Sequence, residues 1–124
     1  MFSGLHVLIV DDNAITRRIV TTLAKNMGFG VINEAENGVV AWNLLQKNSY
    51  DIILSDYNMP EMNGLELLIK VRNDTQYKKV PFIMITAVED RENIVKIVKA
   101  GVSKYLLKPF KHQVFREKIN AVLV

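Results

Sequence analysis

Hydrophobic and polar positions along the chain alternate between two rhythms. Five short apolar, β-branched runs begin 24, 21, 30 and 23 residues apart: Val7–Val10, Val31–Glu34, Ile52–Leu54, Phe82–Ile85 and Tyr105–Leu107. Between and after them, apolar residues recur every three or four positions. Ile15, Ile19, Leu23 and Met27 form one such stripe, followed by Ala41, Leu44 and Leu45, then by Leu65, Leu68 and Ile69. Ile94, Ile97 and Val98 form a fourth, and Phe115, Ile119, Val122 and Leu123 close the chain. Short apolar runs of this kind predict buried strands, and the three-to-four repeat predicts helices with one apolar face. The punctuation agrees. Gly28 and Gly101 follow two helical stretches, where a left-handed C′ residue belongs. Asn63-Gly64-Leu65-Glu66 reads as an N-cap with a glutamate at N3. Strands alternating with helices are βαβ units, so the expected class is α/β: a (βα)₅ doubly wound five-stranded parallel sheet between two helical layers. Val7–Val10 and Phe82–Ile85 are continuously apolar, as strands covered on both faces should be.

In such a sheet the ligand site lies at the carboxyl ends of the strands. The first run ends in Asp11-Asp12, the third in Asp56, the fourth in Thr86 and the fifth in Lys108-Pro109. Three carboxylates, a hydroxyl and an ammonium therefore converge on one edge. Each alone has an ordinary reading. Asp12 fits a helix N-cap, and Thr86 and Lys108 fit turn and surface positions. Together they describe more. Clustered carboxylates repel unless a cation sits among them, and hard oxygens suit Mg²⁺, with Mn²⁺ as a substitute. A carboxylate can also accept a phosphoryl group, whose oxygens an ammonium and a hydroxyl can hold.

Composition narrows the field. Of the 124 residues, 49% are hydrophobic and 23% charged, and the expectation is one globular domain spanning 1–124 with no separate output domain. The absence of cysteine excludes disulfides, thiolate metal sites and a cysteine nucleophile. No signal peptide or membrane-length apolar run is visible, so the expectation is a soluble, cytoplasmic, monomeric protein without a membrane role. The formal net charge is +3. It is unevenly placed: residues 1–88 carry eight Lys/Arg against nine Asp/Glu, and residues 89–124 carry eight against four. No nucleic-acid recognition motif accompanies the basic third, so an acidic protein is its expected partner, not nucleic acid.

Val10-Asp11-Asp12-Asn13, the stretch Ser55-Asp56-Tyr57-Asn58-Met59-Pro60 through Leu67, Ile85-Thr86-Ala87 and Lys108-Pro109-Phe110 resemble the receiver domain of bacterial response regulators. The resemblance covers the chain in order and at family spacing. Asn58-Met59-Pro60, Glu92-Asn93-Ile94 and Ala100 to Tyr105 are similar to the chemotaxis members. It implies the flavodoxin-like strand order 2-1-3-4-5. It also implies that Asp56 accepts a phosphoryl group from a histidine kinase of chemotaxis type, and that Asp11, Asp12, Asp56 and the Asn58 backbone carbonyl hold Mg²⁺. Lys108, Thr86 and Ala87 would contact the phosphoryl group, Tyr105 would follow Thr86 as a switch, and the Lys108–Pro109 bond would be cis. Arg91, Ile94, Lys96, Lys99, Lys104, Tyr105 and Lys118 would meet the flagellar motor switch or another acidic target. The resemblance also implies a separate phosphatase as a further partner. Val88 stands where family members often carry a polar residue that manages attacking water, which implies a longer-lived phosphorylated state.

Three other readings are weighed beside this one. A phosphorelay intermediate or phosphate sink would pass the phosphoryl group to another histidine. A Mg²⁺-dependent phosphatase of haloacid dehalogenase type would need Asp-x-Asp on its first catalytic strand, whereas Asp56 is followed two residues on by Asn58. A flavin carrier would need a first loop less acidic than Asp11-Asp12-Asn13-Ala14. The expectation is a signalling protein, not an enzyme. Trp42, Met27, Met62 and Met84 read as packing residues, His6 and His112 as structural or surface ones. Tyr57 and Met59 are expected to shape access to Asp56.

Overall fold

A computed structural model of the protein describes residues 2–87 and 91–123. Among these residues ten elements alternate: β1 His6–Val10, α1 Ala14–Asn26, β2 Val31–Ala35, α2 Gly38–Lys47, β3 Ile52–Ser55, α3 Gly64–Arg72, β4 Phe82–Thr86, α4 Arg91–Lys99, β5 Lys104–Leu107 and α5 His112–Leu123. Each apolar run of the sequence lies within one strand or, for β2, short of its end by one residue. The sheet is parallel throughout, in the order β2-β1-β3-β4-β5. β1 sits second from one edge, aligned with β3 so that Val10 faces Ser55, and β3 is aligned with β4 so that Ser55 faces Met84. These registers bring the ends of β1 and β3 to one level, and β4 runs two residues further, to Thr86.

Alternation along the strands sorts the core into two layers, because successive side chains point to opposite faces. Leu8, Val10, Ile53, Phe82 and Met84 pack with Ala41, Leu45, Leu67, Leu68, Val71 and Ile97, which places α2, α3 and α4 on that face. Val7, Ile9, Ile52, Leu54, Ile83 and Ile85 pack with Val20, Leu23, Ala24, Phe115 and Ile119 from α1 and α5. β1, β3 and β4 are thus covered on both sides. The helix ends follow local chemistry. Asn63 accepts from the Glu66 N–H while Glu66 accepts from the Asn63 N–H, a complete capping box. Gly28 and Gly101 have φ of 89° and 96°, the left-handed conformation expected at C′. Trp42 is half-buried against the core with Lys70 Nζ 5.2 Å from its ring centroid, and Met84 is fully buried, so both pack.

The first predicted stripe is corrected by the structure. Ile15 is 76% exposed and Ile19 48% exposed, and the buried face of α1 is instead Val20, Thr21, Leu23 and Ala24. A strict spacing of four advances about 40° beyond a full turn at each step, so such a row winds off the core face. Ile69 and Val98, the last members of the third and fourth stripes, are likewise exposed.

Candidate functional site

The predicted edge of the sheet is where the ionisable groups gather. Asp11 and Asp56 extend the ladder beyond their strands: the Asp11 N–H donates to Ala35 O at 3.0 Å and the Asp56 N–H to Val10 O at 2.8 Å. Asp11 is buried, Asp56 half-buried and Asp12 exposed, yet one carboxylate oxygen of each lies within 4.8 Å of the others. Lys108 comes off β5, its N–H bonded to Thr86 O at 2.9 Å. Its ammonium bridges two of the acids, with Nζ 3.2 Å from Asp11 Oδ2 and 3.4 Å from Asp56 Oδ1. The Lys108–Pro109 peptide is cis.

Backbone donors hold the same carboxylates from the other side. Asp11 Oδ1 accepts from the Asn13 N–H at 2.9 Å, and Asn13 Oδ1 caps α1 by accepting from the Ile15 and Thr16 N–H groups. Asp56 Oδ1 accepts from the Tyr57 N–H at 2.8 Å. Gly64, which opens α3, donates to Tyr57 O at 2.8 Å, and a Cβ there would overlap the carbonyl oxygen of Asp56. The start of α3 is therefore pressed against the site, a close approach that only glycine permits. Among the described residues the Asp12 carboxylate has no hydrogen bond or ion pair, so it is oriented by its backbone alone.

Burial raises the Asp56 carboxyl above the ordinary aspartate range; the Lys108 ammonium opposes this, the Asp11 charge adds to it, and the Tyr57 N–H lowers it again. One ammonium cannot neutralise three carboxylates, and the free valence of the site is for positive charge. All donors are hard oxygens, the set that suits a small divalent cation with bound water. The residues thus fit Mg²⁺. A half-buried carboxylate beside an ammonium and a cation site can also act as a nucleophile toward phosphorus.

The remaining predicted residues lie around this centre or on one neighbouring face. Thr86 is buried at the end of β4, Ala87 follows it and is exposed, and Asn58 is exposed on the loop after Asp56. Tyr105 is half-buried, in register with Met84 and packed on the core layer that contains Ile97. Arg91, Lys96 and Lys99 line a shallow depression on α4 with Glu92 and Val95. Lys104, Tyr105 and Lys118 line a second with Val98, Val102 and Ser103. Ile94 is half-buried on α4 outside both depressions. Tyr57 does not guard the site: it is buried in the core, and its hydroxyl donates to Asn93 Oδ1 at 3.3 Å. Met59 is half-buried against the same layer. Val88 lies outside the described residues. Sequence reasoning missed Arg17, which donates to the Asp11 carbonyl at 2.7 Å and to Glu34 Oε1 at 2.9 Å. As one arginine of a pair inside an amphipathic stretch, it carries no signal of that role.

The doubly wound sheet with an acidic, lysine-bridged edge places the chain in a defined class: it belongs to the response regulator receiver domain family, whose model matches residues 7–120. Within that family it is similar to named chemotaxis proteins. Chemotaxis protein CheY1 of Helicobacter pylori is 42% identical over 120 residues, covering 96% of this chain and 97% of the relative. A CheY homolog of Campylobacter jejuni is 43% identical over 120 residues, covering 96% and 92%. Among solved structures, the chemotaxis protein CheY4 of Vibrio cholerae superposes with a TM-score of 0.89 at 33% identity, covering 96% of this chain and 98% of that one.

Proposed function

We propose that this chain acts as the receiver of a chemotaxis response regulator, phosphorylated on Asp56 by a histidine kinase of the CheA type. The observation that carries the reading is the Lys108 ammonium set between Asp11 and Asp56 at the one edge where the three acids meet. An Asp56 oxygen attacks the phosphorus of a phosphohistidine. The P–O bond forms as the P–N bond breaks, and the imidazole nitrogen leaves with the electron pair and is protonated. Asp11, Asp12, Asp56 and the Asn58 carbonyl would hold Mg²⁺, which when bound neutralises charge on the transferring group. Lys108 exchanges its carboxylate contacts for phosphoryl oxygens, and Thr86 and Ala87 supply a hydroxyl and a backbone N–H nearby.

The added phosphoryl group brings roughly −1.5 to −2 charges and three strong acceptors. Thr86 moves to donate to them, and Tyr105 turns into the space behind it. Because Tyr105 borders the depression lined by Lys104 and Lys118, this rearrangement reshapes the basic face that would meet an acidic motor-switch protein. The relatives named for chemotaxis support that choice over a relay or phosphate sink. The phosphatase reading lacks the second carboxylate it needs, since Asn58 stands two residues after Asp56. The test is phosphotransfer from such a kinase. Wild type is expected to take up label that Asp56→Asn does not, and a phosphate mimic is expected to tighten binding to a motor-switch peptide. Equal labelling of the variant would sink the site, and equal peptide affinity in both states would sink the output.

A further inference from the structure

Arg17 occupies a position that local helix chemistry disfavours. It lies in the opening turns of α1, where the dipole's positive end favours acids, and the first turn holds no acidic residue. Arg18 beside it is exposed and free to extend into water, but Arg17 is half-buried and turned back toward the sheet. Its guanidinium has two anchors. Nε pairs with Glu34 Oε1 at 2.9 Å, and one terminal nitrogen donates to the carbonyl oxygen of Asp11 at 2.7 Å. Glu34 is placed for this by register, since β2 pairs with β1 so that Glu34 stands opposite Ile9, two residues before Asp11.

That carbonyl belongs to the peptide joining Asp11 to Asp12. The Asp11 carboxylate is fixed independently by the Asn13 N–H and Lys108, and Asp56 by the Tyr57 N–H and Lys108. Among the described residues Asp12 has no side-chain partner of its own. The orientation of the Asp11–Asp12 peptide therefore directs the Asp12 carboxylate, and among the described residues Arg17 is the side chain that holds this peptide.

We propose that Arg17, braced by Glu34, is a positioning residue that directs Asp12 toward the divalent-cation site and so sets the affinity for Mg²⁺. The inference rests on the reading of the three aspartates as that site. It is unusual in sign. By charge alone, an arginine beside an acidic cluster repels a cation, so its removal should tighten Mg²⁺ binding. By positioning, its removal loosens Asp12 and weakens binding, by about tenfold or more if it behaves like other partners of metal ligands.

The experiment titrates Mg²⁺ into the unphosphorylated full chain by calorimetry, with thermal unfolding as the fold control. Arg17→Ala is expected to bind Mg²⁺ about tenfold more weakly. Arg17→Lys, which keeps the charge but cannot reach both anchors, is expected to fall between Arg17→Ala and wild type. Glu34→Gln, which keeps a hydrogen-bond acceptor, is expected to show a smaller loss in the same direction. With a small acyl phosphate as phosphodonor, Arg17→Ala should raise the Mg²⁺ concentration for half-maximal labelling more than it lowers the maximal rate. Tighter or unchanged Mg²⁺ binding in Arg17→Ala overturns the inference, as does an Arg17→Lys variant no better than alanine. If Arg17→Ala does not fold, Glu34→Gln and Arg17→Lys decide by the same criterion. No Mg²⁺ binding by wild type would overturn the site reading together with this inference.

Discussion

Glu61 has φ of 67°, in the loop that carries the chain from Asp56 to Gly64, and it is the one non-glycine with positive φ among the described residues. The left-handed region costs an ordinary L-residue about 1 kcal/mol, and asparagine tolerates it best among non-glycines. Glu61→Asn is therefore expected to raise stability by about 0.5–1 kcal/mol in urea unfolding, without the added chain entropy of a glycine. A loss of stability would show that the glutamate side chain makes a compensating contact. The family resemblance carries a further expectation for Val88, two residues after Thr86. A polar side chain there would help to order attacking water, so the phosphorylated Val88→Glu protein is expected to lose its label faster than wild type. Equal decay in a quench time course would remove that reading. The site residues were legible in the sequence because strand ends are legible: Asp11, Asp56, Thr86 and Lys108 each follow an apolar run. Arg17 was not, because a guanidinium that folds back onto a backbone carbonyl leaves no mark in spacing or composition.

At the scale of the element, α1 separates what periodicity can and cannot say. The existence of the helix and its end near Gly28 follow from the sequence, whereas its cap is Asn13 and not Asp12, the neighbour that the sequence offered for that role. Which residues face the core does not follow from it, because an apolar row spaced by four drifts around the axis and both of its edges look alike in one dimension. The two faces should differ sharply in energy. Leu23→Ala is expected to cost about 2–4 kcal/mol, since Leu23 packs among Val20, Ala24 and the strands above them. Ile15→Ser is expected to change stability by less than about 0.5 kcal/mol, since Ile15 is solvent-exposed. Comparable losses in equilibrium unfolding would mean that α1 sits differently on the sheet. The exposed Ile15 and Ile19 line an open apolar groove with Leu23 and His112. The same folding pattern thus leaves part of α1 unused by the core.

Across the whole molecule, two tyrosines tie distant segments and link stability to alkaline pH. Tyr50, just before β3, donates to Asn33 Oδ1 at 2.6 Å on β2. Tyr77, before β4, donates to the carbonyls of Leu45 and Asn48 at the end of α2. Burial raises both phenols above their ordinary value, and the neighbouring Tyr77 adds to the effect at Tyr50. In the unfolded chain these protons leave near pH ~10, while the folded chain retains them to higher pH. Above that pH the unfolded state binds fewer protons, so stability falls as pH rises toward the folded values and is undiminished below about 10. Urea midpoints are expected to fall as the pH rises through and beyond about 10, and Tyr50→Phe to make the drop shallower. A midpoint independent of pH across that window would contradict the assignment. The sequence offered these tyrosines only as aromatic residues, because their partners are 17 to 32 positions away and lie on other elements.

The strand order has one more consequence. β5 is paired with β4 on one side only, which leaves a row of backbone donors and acceptors facing outward, able to template a strand from a second copy. The edge is only four residues long and opens with the exposed Lys104. The Lys104 ammonium proposed above to meet an acidic target thus also guards this edge against edge-to-edge aggregation, and neutralising it to probe the partner face would remove that guard as well.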